Sequence, residues 1–298
     1  MGTKAVTLVL GGLGVKGVAS IGILQALHTH NIEVKQIYAA GASALVAGYY
    51  AMGRSPDELT DLFVQFFDSN HNALWGMEQI SGLFQTQRRR IVDSFGYFLR
   101  ERLYCRANLK RVSILDWNIV EPLISVVFGS ATFSDLKIPL SITTVDLDAK
   151  KLFIIDHGKL SAAMKAGIAF PGLFPPVNFG GRRLVSSTLC CELPLEAVTK
   201  ADSPVLAIDF PTALTHQRPN NLLEIITRTT EIRSNAIKNR LLEKADHVIR
   251  LEKMNRYRWG SYRQIPSMIQ HAREETARQL ALIPEFQHRG KSLTLAKG

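Results

Sequence analysis

The chain has 298 residues, of which 46% are hydrophobic and 21% are charged. These fractions are typical of a globular protein that buries a sizeable core. The formal net charge of +10 indicates an anionic partner, either a nucleic acid or an anionic membrane surface, although a solvated basic surface would give the same charge. No apolar run reaches the roughly 18 to 20 residues of a membrane-spanning helix, so we exclude an integral membrane protein and expect any membrane contact to be peripheral.

The cysteines and the first residues indicate the compartment. Cys105, Cys190 and Cys191 are too few and too poorly spaced for a disulfide framework, which favours a reducing environment. The apolar start AVTLVLGGLGV is interrupted by glycines and has no small-residue cleavage site, so it predicts a strand and a loop rather than a signal peptide. We therefore expect a cytoplasmic protein.

Hydrophobic periodicity predicts alternating strands and helices at the start of the chain. Ser55 and Pro56 give a strong helix start. This order is typical of a parallel sheet that is covered by helices. The predicted elements are a strand at 4–10, a glycine-rich loop at 11–17, a helix at 18–31, a strand at 33–40, and helices at 43–53 and 55–69.

The rest of the chain continues the α/β pattern after a mostly helical stretch. We find no internal repeat and no long linker, so we predict one α/β domain over 1–298, with its core at about 4–212 and C-terminal helices and a late strand at about 220–283. The predicted elements are helices within 70–132, strands at 138–147 and 151–158, a helix at 159–170, a loop and strand at 171–185, a strand at 203–210, a helix at 220–245, a strand at 246–252 and a helix at 267–282.

The glycines of the first loop, Gly12, Gly14 and Gly17, have a spacing that occurs in two kinds of site. A dinucleotide-binding fold uses it for the pyrophosphate, but it needs an acidic residue at the end of the next strand, where this chain has Ala-Ala-Gly at 39–41. A P-loop fits even less, because Lys16 is not followed by Ser or Thr. The alternative is an oxyanion hole, in which backbone N–H groups of the loop stabilise developing negative charge.

Ser43 lies where a nucleophile could face that loop. It follows the second predicted strand and begins a helix of small residues, where a hydrolase would have the pattern G-x-S-x-G. Gly41 supplies the first glycine of the pattern, and Leu45 stands at the second. Taken singly, each feature is more often a close crossing of a helix and a strand, but their order along the chain favours acyl transfer.

These motifs resemble those of the patatin-like phospholipases. That family has a G-G-G-x-R/K-G loop after its first strand, G-x-S-x-G after its second, and D-G-G or D-G-A much later. Here VLGGLGVKG and AGASALVAG are similar to the first two, and AAMKAGIAFPGLFPPV resembles the block ahead of the aspartate. The resemblance implies a three-layer α/β/α domain with a mostly parallel central sheet, a Ser–Asp dyad without histidine, and lipid acyl esters as substrates.

The resemblance also implies roles for individual residues. Ser43 would be the nucleophile, and the residue aligned with the catalytic aspartate is Ser186, located from the flanking LV and LPL. The oxyanion hole would be formed by Gly12, Leu13, Gly14 and Val15, with supporting motif positions at Lys16, Gly17 and Gly41.

Three of these positions depart from the family pattern. Ser186 cannot accept the Ser43 proton at neutral pH, because a hydroxyl is not basic, and loss of the base costs several orders of magnitude in triad enzymes. Leu13 replaces the middle glycine of the oxyanion loop, and Leu45 replaces the second elbow glycine. The sequence therefore predicts that activity is weakened or lost.

Two other titratable residues could in principle replace the aspartate. Asp146 matches a family position whose role is structural, and His157 is predicted to be a solvated turn residue, with a rescue triad through it as the alternative. The 8 histidines show no metal-ligand spacing, so we expect neither a metal nor a cofactor. Basic and aromatic residues could bind nucleic acid, anionic lipid headgroups or only water, and the resemblance favours lipid. They are Arg88–Arg90, Arg250, Arg256, Arg258 and Arg263, with Tyr257, Trp259 and Tyr262.

The sequence thus leaves two functions open. The first is a patatin-like serine acyl hydrolase of phospholipase or esterase type, slow because its base is absent. The second is an inactive relative that keeps the fold and acyl pocket as a lipid-binding or partner-binding module. A nucleotide-dependent enzyme is a distant third. The expected ligand is a lipid acyl ester or fatty acyl group, an anionic membrane surface is a possible partner, and nucleic acid is not expected.

Overall fold

A computed structural model describes residues 4–12, 14–69, 112–211, 218–219, 222–257 and 260–287. The strands are β1 (Lys4–Leu10), β2 (Ile32–Ala39), β3 (Leu140–Asp146), β4 (Lys151–Ile155), β5 (Val177–Phe179), β6 (Arg182–Ser186), β7 (Val205–Asp209) and β8 (His247–Arg250). The helices are α1 (Ser20–Thr29), α2 (Ser43–Ala51), α3 (Pro56–Ser69), α4 (Glu121–Phe128), α5 (Leu160–Ile168), α6 (Leu222–Leu242) and α7 (Ile265–Leu280).

The main difference from the sequence prediction lies after the glycine loop. There the chain first forms a 3₁₀ turn over Gly14–Ala19, and α1 begins only at Ser20. This turn packs against the start of α2, where Gly41, Ala42 and Ser43 form the strand-to-helix turn that we call the elbow.

A second difference lies in the region predicted as a loop and one strand, where β5 and β6 form a hairpin whose turn needs the positive φ of Gly180 and Gly181. A small further difference is that α7 begins two residues early with Pro266 in its first turn, where a missing N–H is harmless.

The strands form one mixed sheet in which β5, β6, β3, β2, β1, β7 and β8 are hydrogen-bonded in that order, with β6 and β2 on successive parts of one edge of β3 and β4 on its other edge. β1, β2, β3, β7 and β8 pair in parallel, whereas β4, β5 and β6 are antiparallel to their neighbours. Strand β7, between β1 and the edge strand β8, is buried along its whole length, as expected for a parallel strand covered on both faces. The predicted α/β/α fold with a mostly parallel sheet is confirmed.

Helices and loops cover the two faces of the sheet with separate apolar clusters. The larger cluster contains side chains from α1, α2, α5 and α7, including Leu24, Val46 and Met268. The smaller cluster packs Leu242 of α6 and Leu195 against the opposite face. Within the ranges given above, no helix is long and apolar enough to cross a bilayer.

The edge of β3 brings the ends of β2 and β6 together. β4 pairs with β3 from Ile142 to Asp146 and so occupies one edge of that strand. β2 and β6 share the other edge, where Ala39 pairs with Ile142 and Ser186 pairs with Thr144. Because β2 and β6 run towards each other, their final residues lie opposite β3 positions about 7 Å apart. The segment after β2 and the segment after β6 therefore meet.

Candidate functional site

The turn between β2 and α2 depends on Gly41. Its φ is +68°, a conformation that side chains disfavour. A Cβ at this position would also lie 2.7 Å from the Gly12 carbonyl oxygen and 2.8 Å from Thr188 Cγ2. Gly41 thus allows the elbow to contact both the glycine loop and the segment after β6. Ser43 follows as the first residue of α2 and does not itself have a positive φ.

The glycine loop packs directly against this elbow. A Cβ on Gly17 would lie 2.5 Å from the backbone nitrogen of Ser43 and 3.0 Å from Ala42 Cβ. Gly12 and Gly14 have φ values of +132° and +59°, so both also need glycine. Leu13 lies outside the described residues. The structure brings loop and elbow together, while the role of the loop as an oxyanion hole stays a prediction.

The Ser43 hydroxyl is fully buried and points at backbone carbonyls. It lies 2.8 Å from the Ala40 oxygen and 3.1 Å from the Leu10 oxygen, so its single proton is donated to one or shared between them. A carbonyl oxygen orients the hydroxyl but cannot act as its base. Ser43 must therefore rotate about χ1 before its oxygen can reach a ligand above the elbow.

The last residue of β6 and the first two residues after it, Ser186, Ser187 and Thr188, contribute hydroxyl groups only. Ser186 is 2% exposed, and its Oγ lies 3.2 Å from Thr188 Oγ1. Ser187 points away and donates to the Thr143 carbonyl oxygen at 3.0 Å. None of these groups is basic at neutral pH, so the place predicted for a catalytic carboxylate contains no proton acceptor of that strength.

An apolar cavity of about 720 Å³, including its open mouth, lies between the loop, the elbow and the end of β6. Among the described residues that line it, only Ser186 and Thr188 have polar side chains, and none is titratable. Leu45 lies in its wall, whereas Ser43 does not. The other lining residues are Gly14, Val15, Val18, Gly41, Ala42, Phe63, Phe66, Val120, Leu123, Ile168, Phe170, Leu173 and Phe174.

Neither Asp146 nor His157 belongs to this cavity. The Asp146 carboxylate accepts hydrogen bonds from the backbone of Ala149 and Asp148 and from Arg182. The Ala149 bond, followed by the Arg182 bond, lowers the pKa of Asp146. This is the structural role that the sequence predicts. His157 is 74% exposed, is bonded to Asp156 and does not line the cavity that Ser43 would have to face.

The interpretation of Tyr257 and Tyr262 as an exposed aromatic surface is wrong. They are 5% and 4% exposed. Tyr257 packs beneath α7 and its hydroxyl bonds to His271, which explains why the ring is turned inward. Arg88–Arg90, Arg258 and Trp259 lie outside the described residues. Across the part of the chain that the structure describes, no group of His, Cys, Asp and Glu could hold a metal ion.

A buried charge cluster behind the glycine loop was missed by the sequence analysis. Lys238 of α6 is 3% exposed and lies 2.9 Å from Asp209 Oδ1 and 3.3 Å from Glu192 Oε2. It also donates to the Phe210 carbonyl oxygen. Burial raises the pKa of Glu192, whereas Lys238, although burial opposes its charge, has a raised pKa because of Glu192 and Asp209. Through Lys238, α6 is bonded to Asp209 at the end of β7 and to Glu192 in the segment that follows β6.

Removing the Lys238 ammonium is expected to destabilise the fold strongly. Lys238→Met keeps most of the side-chain volume but leaves Glu192 and Asp209 buried with less compensation, a loss of about 3 kcal/mol or more in the free energy of unfolding. Urea unfolding measures this. Arg240→Met, on the exposed side of the same helix, is the matched control. A Lys238→Met protein as stable as Arg240→Met would contradict the assigned role.

Lys16 faces this cluster rather than the cavity. Burial lowers the pKa of Lys16, against the opposing effects of Glu192 and Glu231. Its ammonium therefore lies on the α6 side of the glycine loop, whereas the neighbouring Gly14 and Val15 line the cavity. Lys16 is not among the residues that line the cavity, and its role as a supporting residue of the loop motif stays a prediction.

Several known proteins are similar to this chain in sequence. A family model for patatin-like phospholipase matches residues 8–198. An uncharacterized NTE family protein of Mycobacterium bovis is 28% identical over 193 residues, which are 65% of this chain and 45% of that protein. Lysophospholipase NTE1 of Debaryomyces hansenii is 22% identical over 210 residues, 70% of this chain and 12% of that protein. The chain spans less than half the length of these relatives.

Two solved structures are similar over most of the chain. VipD from Legionella pneumophila has a TM-score of 0.47 at 12% identity, covering 93% of this chain and 66% of VipD. A chain of the ExoU–SpcU complex from the type III secretion system of Pseudomonas aeruginosa has a TM-score of 0.42 at 16% identity, covering 95% and 52%. Neither likeness is close enough to carry information on function.

Proposed function

This chain belongs to the patatin-like phospholipase family, and from that premise we propose that it is a slow lipid acyl hydrolase. The acyl chain of a lipid ester occupies the apolar cavity, and Ser43 attacks the ester carbonyl at its base. One observation carries the proposal. The cavity lies where the glycine loop, the elbow and the end of β6 meet, and its described walls have hydroxyl groups but no titratable side chain.

The proposed reaction begins with a rotation of the Ser43 hydroxyl away from the Ala40 carbonyl oxygen. Backbone N–H groups of the glycine loop would stabilise the oxyanion that forms at the substrate carbonyl. Among the described residues that line the cavity no carboxylate can accept the serine proton, and Ser186 supplies only a hydroxyl, so in this proposal water takes the proton. The lack of a carboxylate base also slows the attack of water on the acyl-enzyme. Both steps retain the stabilisation of the oxyanion but lose the base, so turnover is slow rather than zero.

We expect slow hydrolysis of p-nitrophenyl esters that depends on Ser43 and on the length of the acyl chain. Each added CH₂ that enters the cavity should lower KM by up to about fourfold, which corresponds to about 0.8 kcal/mol of apolar burial. Steady-state kinetics on esters of increasing chain length measure both effects. Ser43→Ala is the control for the chemistry. An unchanged rate in Ser43→Ala, or a KM independent of chain length, would contradict the proposal.

A second candidate function is acyl-chain binding without turnover. It is favoured by the Ser43 hydroxyl, which is fully buried and bonded to backbone carbonyls rather than exposed in the cavity wall. Displacement of a fluorescent fatty acid would show equal affinity for the wild type and Ser43→Ala under either function. Only the hydrolase shows ester cleavage that is lost in Ser43→Ala, so the two assays together separate the candidates.

A further inference from the structure

Phe174 lines the cavity with a ring that is packed on a second aromatic ring. The side chain is 4% exposed, and its ring stacks on that of Trp117, with the ring centroids 4.8 Å apart and an angle of 13° between the two planes. Such a stacked pair is favourable beyond the area that it buries. Trp117 is not among the described residues that line the cavity, so it supports Phe174 from outside.

The backbone segments that carry the two rings are bonded to each other. The N–H groups of Ile114 and Leu115 donate to the carbonyl oxygens of Gly172 and Leu173, at 3.1 Å and 2.8 Å. The first two residues lead into the tryptophan, and the last two precede the phenylalanine. The rings are therefore held together by their backbones as well as by their stacking.

The segment that contains Trp117 continues into the cavity wall. Val120 and Leu123 follow it in the chain, and both line the cavity. The start of α4 is fixed in turn, because Glu121 forms an ion pair with Lys165 of α5. One wall of the cavity is thus built from two segments that are bonded to each other, and the stacked rings lie where these segments meet.

We propose that Phe174, held in place by Trp117, makes the cavity selective for unbranched acyl chains. The inference rests on the proposed function, because it takes an acyl chain as the occupant. A ring that is packed from behind cannot turn aside, so a methyl branch that overlaps it must be rejected. In an apolar pocket one such carbon changes binding by about tenfold to two-hundredfold. Trp117 is then a positioning residue, since it acts through Phe174 and not on the chain itself.

Competition binding to Ser43→Ala tests this selectivity without turnover. The probe is a fluorescent fatty acid, and the competitors are methyl decanoate and its derivatives with one methyl branch at carbon 2, 4, 6 or 8. The branch that meets Phe174 should weaken binding by about tenfold or more relative to methyl decanoate. Adding Trp117→Ala or Phe174→Ala should remove most of that penalty. Trp117→Phe, which keeps a ring for stacking, should retain most of it.

The matched control is Phe153→Ala. Phe153 is a partly buried aromatic residue of β4 that packs against the same core, and the Arg182 guanidinium lies 4.8 Å from its ring centroid. It is not among the described residues that line the cavity. This variant also loses a ring and its face contact, so it reports any general loosening of the fold, and it should keep the full penalty. Trp117→Leu, which fills space but cannot stack, replaces Trp117→Ala if that protein fails to fold.

Three outcomes would overturn the inference. They are equal binding of all the competitors by Ser43→Ala, a penalty that survives both Trp117→Ala and Phe174→Ala, and an equal loss of the penalty in Phe153→Ala. No displacement of the probe by methyl decanoate would overturn the acyl-chain occupant as well.

Ester cleavage by the protein with Ser43 intact separates this inference from the proposed function. Rejection of branched chains without Ser43-dependent cleavage would overturn the hydrolase proposal and leave the selectivity standing. Ser43-dependent cleavage of straight and branched esters at equal kcat/KM would support the hydrolase and overturn the selectivity.

Discussion

Replacing Ser186 with aspartate is expected to raise the Ser43-dependent rate of ester hydrolysis by about tenfold to a hundredfold. The substitution puts a carboxylate where the structure has only a hydroxyl, at the strand end that β3 brings next to the elbow. The gain should stay below the full contribution of a general base, roughly 10² to 10⁴, because Leu45 still occupies the cavity wall beside Ser43. Leu45→Gly in the same protein should add a further, non-additive gain.

The new carboxylate would be almost fully buried, so its pKa should be raised by desolvation. The Thr188 N–H and hydroxyl, which already contact the Ser186 oxygen, would limit that rise by donating to it. The rate of Ser186→Asp should therefore increase with pH through that pKa, since only the ionised form is a base. Ser186→Asn is the control of equal size, and it should give no gain. A similar gain in Ser186→Asn, or a folded Ser186→Asp that is no faster, would contradict the assignment of this position.

Gly17→Ala is expected to disrupt the site from the side of the loop. The new methyl group would lie 2.5 Å from the Ser43 nitrogen and 3.0 Å from the Ala42 carbonyl carbon, so loop and elbow must separate. Such overpacking costs about 1–3 kcal/mol in the free energy of unfolding. The displaced N–H groups should also lower the hydrolysis rate, by tenfold or more when tested in the faster Ser186→Asp protein. Urea unfolding and ester hydrolysis measure the two effects.

Gly22→Ala separates the effect on the site from the effect on stability. The added methyl group would overlap the Ile269 carbonyl oxygen, where α1 and α7 pack closely. This variant should therefore be destabilised as well, but its loop and elbow remain in contact. Under conditions where both proteins are folded, Gly22→Ala should keep the hydrolysis rate that Gly17→Ala loses. Equal losses would show that the rate follows stability and not the contact between Gly17 and Ser43.

Local sequence patterns predict the parts of the site that are formed by neighbours along the chain. The strand, glycine loop and small-residue helix need specific backbone conformations, and Gly12, Gly14 and Gly41 have the positive φ values that those turns require. Ser43 is the first residue of its helix, as the pattern predicts. Its bond to the Ala40 carbonyl oxygen is also local, whereas the Leu10 carbonyl oxygen lies near the hydroxyl only because β1 packs beside β2, and no local pattern indicates that contact.

Contacts between distant segments could not be predicted in the same way. Lys238 looks like an ordinary polar position of a long helix, and only the fold shows that it lies against Glu192 and Asp209. Phe63 and Phe174 come from a helix and a proline-rich loop, and nothing local indicates that both line one cavity. A buried carboxylate at the end of an apolar strand is a signal for a cationic partner, but it does not identify that partner.

The most direct test of the proposed function is covalent labelling of Ser43 by a long-chain alkyl fluorophosphonate, followed by mass spectrometry of the intact protein and its peptides. The probe combines an acyl-like chain for the cavity with a phosphorus centre that only an activated nucleophile attacks. We expect one adduct per chain, located on Ser43, forming over hours in the wild type, faster in Ser186→Asp and absent in Ser43→Ala. Labelling of the wild type within seconds, an adduct that persists in Ser43→Ala, or no adduct at high probe concentration would contradict a slow hydrolase that uses Ser43 without a base.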